Sequence, residues 1–194
     1  MKVFAGGING VGKSTVLRRT AEVMDIEYVS GSTALLSHLG FPGDYEKLRA
    51  LSSDEQDREW AACVEKLLAT GRSFLLDAHY LSLVRGKVTH QGGKEWLRRF
   101  DVAAIIMAPV GEILERISAD ERVRDRALFP EGLSESGKLD MLIKYQEATY
   151  TDFRTLAWKY DLYSIEIFNG AGDLEKTVSK LVDWLSTIRL RTQG

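Results

Sequence analysis

One cysteine, three prolines and no long apolar run set the first limits on this sequence. A lone thiol, Cys63, closes no intramolecular disulfide, and among apolar neighbours at helical spacing it reads as a small buried hydrophobe. With so few prolines, and without a repeat, a low-complexity tract or a Ser/Pro-rich linker, nothing divides the 194 residues, and one domain over residues 1–194 is expected. The longest apolar stretch, residues 102–108, falls far short of a membrane-spanning helix, and Met1-Lys2-Val3-Phe4-Ala5-Gly6-Gly7 has too short an apolar run for a secretory signal. A cytoplasmic location with no membrane partner is therefore expected. An excess of one charge is missing too. With 26 Lys and Arg against 28 Asp and Glu the net charge is −2, which provides no broad nucleic-acid surface, so any positive potential must be local. Composition leaves the oligomeric state open.

What is present is an alternation. Short apolar runs at Val3-Phe4-Ala5, Ile26-Glu27-Tyr28-Val29, Ser73-Phe74-Leu75-Leu76, Val102-Ala103-Ala104-Ile105-Ile106-Met107 and Tyr163-Ser164-Ile165-Glu166-Ile167-Phe168 end at Gly, Ser, Asp, Pro or Asn, as buried strands do. Between them Trp60, Ala61, Val64, Leu67 and Leu68 recur at helical period, after Ser53 and Gln56 at capping-box spacing and before Gly71 as a stop. Leu174, Val178, Leu181, Val182, Leu185 and Ile188 repeat the pattern near the C-terminus. Such an order predicts an α/β fold, a three-layer α/β/α sandwich around a five-stranded parallel sheet, with ligands at the carboxyl ends of the strands.

Gly7-Ile8-Asn9-Gly10-Val11-Gly12-Lys13-Ser14 satisfies G-x-x-x-x-G-K-[ST] directly after the first strand, where a helix opens. Its glycines let successive N–H groups turn toward phosphate oxygens, and the helix N-terminus adds about half a unit of positive charge. Gly7, Asn9, Gly10, Val11, Gly12, Lys13, Ser14 and Thr15 are the expected ATP site. Lys13 is expected to face solvent until it meets the β- and γ-phosphates, and the Ser14 hydroxyl to bind magnesium.

A magnesium phosphate site also needs a carboxylate at the end of a strand beside the loop, and Asp77 ends Phe74-Leu75-Leu76. Two residues on, His79 is expected on the same side of an extended backbone, so that both face one substrate. After the fourth strand, residues 110–119 form a helix carrying Arg116, followed by Asp120-Glu121-Arg122-Val123-Arg124-Asp125-Arg126. Arg116, Arg122, Arg124 and Arg126 are candidates for a lid that closes over a triphosphate and stabilises transferring charge; the alternative is a solvated loop in which the interleaved acids pair with them.

Together, the Gly7-to-Ser14 loop, Asp77-Ala78-His79, Ile113-Leu114-Glu115-Arg116 with its arginines and Asn169-Gly170-Ala171-Gly172-Asp173-Leu174 resemble the archaeal-type adenylate kinases over nearly the whole chain. More distantly, the Asp-x-His pair is similar to that of the eukaryotic adenylate kinase-like ATPases of ribosome assembly. The resemblance implies a nucleoside-monophosphate-kinase-like P-loop fold with a short arginine lid at about residues 120–136 and an acceptor-binding segment at about 30–70. It also implies that Gly170 and Gly172 border the adenine and that Arg49 stands at an acceptor position. Ser32 and Arg85 lie where this sequence departs from the family, in Ser30-Gly31-Ser32-Thr33 and in Tyr80-Leu81-Ser82-Leu83-Val84-Arg85-Gly86-Lys87. The leading expectation is transfer of the γ-phosphoryl of ATP to a nucleoside monophosphate held by Arg49, Arg85 and Lys87. The alternatives are a hydroxyl acceptor on a small molecule or nucleoside with Asp77 as general base, and an ATP-hydrolysing assembly factor.

Overall fold

The computed structural model describes residues 1–90, 94–121 and 128–193. Five strands form one sheet: β1 (Lys2–Gly6), β2 (Glu27–Ser30), β3 (Phe74–Asp77), then, after the hairpin strands β4 (Leu81–Val84) and β5 (Lys87–His90), β6 (Val102–Met107) and β7 (Tyr163–Phe168). Their order is β2-β3-β1-β6-β7 and every pairing is parallel. The helices are α1 (Lys13–Met24), α2 (Gly31–His38), α3 (Tyr45–Ala50), α4 (Ser53–Ala69), α5 (Val110–Glu121), α6 (Glu135–Lys159) and α7 (Leu174–Gln193), with a 3-10 turn at Glu95–Arg99.

Strand alternation builds the three layers. Val3 and Ala5 of β1, with Val102, Ala104 and Ile106 of β6, enter the core shared with α1, α5 and α7. Phe4, Ala103 and Ile105 enter the opposite core with Trp60 and Val64 of α4 and Phe153 of α6. Both faces of the sheet are thus covered, which is why its strands read as continuous apolar runs. Register then sets the site: Asp77 stands beside Ala5 of β1 on one side and Ser30 of β2 on the other.

Local chemistry adjusts the expected boundaries. The capping box opening α4 lies one residue earlier than Ser53 and Gln56: Ser52 Oγ accepts from Glu55 N–H at 3.3 Å, and Glu55 Oε2 accepts from Ser52 N–H at 2.9 Å. Gln56 instead donates to the carbonyls of Leu48 and Leu51, at 3.1 and 3.0 Å, which ties off α3. Two elements were not foreseen. β4 and β5 pair antiparallel across a two-residue turn in which Arg85 and Gly86 have φ of 45° and 77°, the geometry that suits a tight hairpin. The 25-residue α6 is opened by Ser134, whose Oγ accepts from Gly137 N–H at 3.2 Å. With α5 running to Glu121 and α6 beginning at Glu135, both ends of the expected lid are helical; Arg122, Arg124 and Arg126 lie outside the described residues. Among the described residues no helix is long and apolar enough to cross a membrane.

Candidate active site

β1 delivers the chain to the carboxyl edge at Gly6, where a side chain would sit 2.2 Å from the Tyr80 ring. Gly12, at φ 78°, caps α1, and its carbonyl accepts from Val16 N–H at 3.2 Å. A side chain at Gly12 would lie 2.5 Å from Asn169 Nδ2, so this position is closed twice over, by conformation and by space.

Three distant side chains hold the carbonyls of the loop. His79 Nδ1 donates to Gly7 O at 2.9 Å, Arg116 donates to Gly10 O at 3.4 Å, and the buried Asn169 donates to Val11 O at 2.8 Å. A trans peptide points its C=O and N–H in opposite directions, so each bond turns the N–H of the next residue (Ile8, Val11 or Gly12) away from the side chain that holds the carbonyl. That is how a run of N–H groups is presented to an anion at a helix N-terminus. Arg116 also pairs with Glu112 at 2.7 Å. β3 ends at Asp77, so His79 is not on the extended strand that sequence alternation supposed; it reaches the loop because the chain leaves the strand beside Gly7.

Lys13 departs from expectation. Instead of facing solvent it is buried, 7% exposed, and paired with Asp77, itself 6% exposed. The ammonium at the mouth of the loop folds onto the nearest carboxylate, because a buried charge needs a partner. Asp77 Oδ1 takes Lys13, while Oδ2 accepts from Ser14 Oγ at 2.6 Å and from Tyr28 OH at 2.7 Å. Burial opposes ionisation of Asp77, but the Lys13 charge and the hydrogen bonds from Lys13, Ser14 and Tyr28 outweigh it and hold the carboxyl below its usual value. Burial, then the bond to Asp77, pushes the Tyr28 phenol up to about 12, so it stays a donor.

Ser14 and Asp77 place two oxygens side by side, the donor set magnesium accepts when it keeps most of its water and arrives with a triphosphate. Asn9 and Thr15 fall in the loop and the first turn of α1. Gly170 and Gly172 lie in the turn after Asn169, which is closed by Asp173 N–H on Gly170 O at 3.2 Å.

On the acceptor side, a side chain at Gly31 would lie 2.9 Å from Asp77 O, so α2 begins against the end of β3. Ser32 Oγ is 3.3 Å from Tyr45 OH and 3.4 Å from Ser30 Oγ, which also accepts from Thr33 Oγ1 at 3.2 Å. Arg49 pairs with Glu46 one turn back on α3, and Arg85 occupies the hairpin tip. Of the four acceptor candidates, Ser32 belongs to a segment that abuts Asp77, and Lys87 opens β5 after the hairpin tip. Sequence reasoning assigned no role to Asn169, Tyr28 or Glu112. Asn169 carried one available signal, its place at the end of the last strand.

Residues 6–129, from the end of β1 through the loop, Asp77 and α5, match the family model described as an AAA domain. The chain belongs to the AAA-domain family. No curated protein matches this AAA-domain protein. Among solved structures it is similar to shikimate kinase from Bacteroides thetaiotaomicron, with a TM-score of 0.68 and 13% identity over 96% of this chain and 98% of that one. Shikimate kinase from Acinetobacter baumannii, in complex with shikimate, gives 0.65 and 18% identity over 96% and 93% of the two chains. A gluconokinase from Sinorhizobium meliloti 1021 gives 0.59 and 16% identity over 100% and 97%. The likeness is one of fold: the AAA-domain protein has the three-layer α/β/α architecture of P-loop kinases around a five-stranded parallel sheet.

Proposed function

We propose that this AAA-domain protein is an ATP- and magnesium-dependent phosphotransferase whose acceptor is a hydroxyl group on a small molecule. The observation that carries the reading is the pairing of Asp77 with Lys13 and Ser14 at a strand end that abuts a cluster of neutral hydroxyls from Ser30, Ser32, Thr33 and Tyr45. A phosphate acceptor arrives ionised and asks for fixed cations, whereas a hydroxyl acceptor asks for a base and neutral hydrogen-bonding partners. The segment beside Asp77 offers the second set. Structural neighbours named as shikimate kinase and gluconokinase support the same choice among the acceptor classes.

In this reading Lys13 leaves Asp77 for the β- and γ-phosphates, and the loop N–H groups hold the phosphate chain. The acceptor oxygen attacks the γ-phosphorus in line. A new O–P bond forms as the bond to the bridging oxygen breaks, its electron pair leaves with ADP, and the acceptor proton passes to Asp77 Oδ1. Ser14 and Asp77 would hold the magnesium, which when bound neutralises charge on the phosphate oxygens. Arg116, with Arg122, Arg124 and Arg126, is assigned the remaining charge on the transferring group.

The test is an ADP-release assay with ATP and magnesium across sugars, sugar acids, alicyclic polyols, nucleosides and nucleoside monophosphates, with products identified by phosphorus NMR. A phosphate ester formed faster than ATP hydrolysis is expected. Turnover confined to monophosphates, giving a phosphoanhydride, restores the adenylate-kinase-like reading that the Asp77-Ala78-His79 resemblance favours. Hydrolysis alone, with ATP bound, supports the ATPase reading.

A further inference from the structure

Among the described residues Asp77 has three side-chain donors, and they do not stand in the same relation to a nucleotide. Lys13 and Ser14 belong to the phosphate loop and are drawn off to phosphate and metal when a magnesium nucleotide binds. Tyr28 comes from β2, on the far side of β3, and donates its hydroxyl to Asp77 Oδ2 at 2.7 Å. Its ring is held in turn: the Arg18 guanidinium carbon, on α1 one turn beyond Ser14, lies 5.2 Å from the ring centroid. A carboxylate that lost Lys13 and Ser14 together, with nothing else to hold it, would be free to rotate about its side-chain torsions and present either oxygen.

We propose that Tyr28 is a positioning residue that keeps Asp77 Oδ2 in place while Lys13 and Ser14 transfer from the carboxylate to the magnesium nucleotide. Oδ1, which Lys13 vacates, is then the oxygen that faces the reacting groups. Arg18, over the face of the ring, holds the phenol beside the carboxylate. This inference rests on the nucleotide half of the reading above and is independent of the acceptor's identity.

The role predicts a defect specific to the metal. Binding of adenylyl imidodiphosphate, a non-hydrolysable ATP analogue, is measured by calorimetry with magnesium and again with EDTA, in the wild-type protein and in Tyr28→Phe. The lost bond is to a charged group, so the magnesium complex should bind about 10-fold more weakly. Metal-free analogue should bind within about 2-fold of wild type, because the groups that the Tyr28 hydroxyl meets, Asp77 and the Ser14 hydroxyl, are assigned to the metal rather than to the phosphates. In an Asp77→Asn background, Tyr28→Phe should add nothing to the metal-specific loss. Equal weakening with and without magnesium, or no weakening, overturns the inference, since a purely structural role would not distinguish the two conditions. If Tyr28→Phe does not fold, Arg18→Gln carries the test: it should give a smaller loss confined to the magnesium complex, and a loss shared by both conditions overturns the inference. Failure of the wild-type protein to bind the analogue in either condition sinks the nucleotide reading itself, whereas normal wild-type binding without a metal-specific deficit in the variants sinks only the role of Tyr28.

Discussion

Neutralising Lys13 and Asp77 together should cost the nucleotide-free protein less than the two single neutralisations add up to. The two side chains are 8% and 4% exposed, so each leaves the other as a buried charge. Breaking such a pair from one side costs about 3–5 kcal/mol. Lys13 sits at the mouth of the loop on a flexible stem and can turn toward water, which puts Asp77→Asn at the low end, about 3 kcal/mol. In Lys13→Met the carboxylate keeps the Ser14 and Tyr28 hydroxyls, and the cost should be about 2 kcal/mol. The double variant leaves a neutral amide still able to accept from both hydroxyls, so the pair should lose about 2 kcal/mol in total, a coupling of about 3 kcal/mol. Chemical denaturation of nucleotide-free protein measures all four corners of the cycle. Thermal scans give a second reading, with about 2–4 °C expected per kcal/mol for a chain of this size. Single costs that add to the double within about 0.5 kcal/mol would refute the pairing as an energetic unit.

Acid should act through the same carboxylate. Asp77 titrates below its usual value in the folded protein, so its contribution to stability is fully present above the unfolded pKa of about 3.9 and is lost as pH falls through the folded value. Stability of the wild type should therefore fall more steeply below about pH 4 than that of Asp77→Asn, and parallel curves would contradict the assignment. At the other end of the loop, Asn169→Ala removes the buried bond to Val11 O and should weaken ATP-analogue binding about 10-fold at matched folding. Gly12→Ala should be worse, and combining it with Asn169→Ala should relieve the clash while leaving the left-handed strain of about 1 kcal/mol; calorimetry showing no relief would argue against the Asn169 side chain as its cause.

Much of the donor half was legible because it is built locally. A strand, a glycine-rich turn and a helix N-terminus follow one another within residues 2–24, and Asp77 closes its own apolar run. The hairpin was hidden because four-residue strands give little alternation to read, and its turn is Arg85-Gly86 rather than the Asn-Gly or Asp-Gly that signals such turns. In α6 the buried positions Leu142, Tyr145, Thr149, Phe153 and Ala157 keep helical spacing but are mixed with polar residues, so the face shows only once the sheet is there to cover it.

By itself, then, the sequence determined the five strands, their parallel α/β order and the phosphate loop, since burial on two faces and backbone freedom at glycine leave marks within a few residues. Only the tertiary structure decided which side chains complete the site. Lys13 and Asp77 are 64 residues apart, His79 and Gly7 72, and Asn169 and Val11 158. Their meeting depends on strand order, which sets β3 against β1 and leaves β7 at the edge, and no local periodicity encodes that order. The same holds for Lys13: whether its ammonium faces water or a carboxylate is settled by what the neighbouring strand brings to it, because the stability of a buried charge lies in its partner.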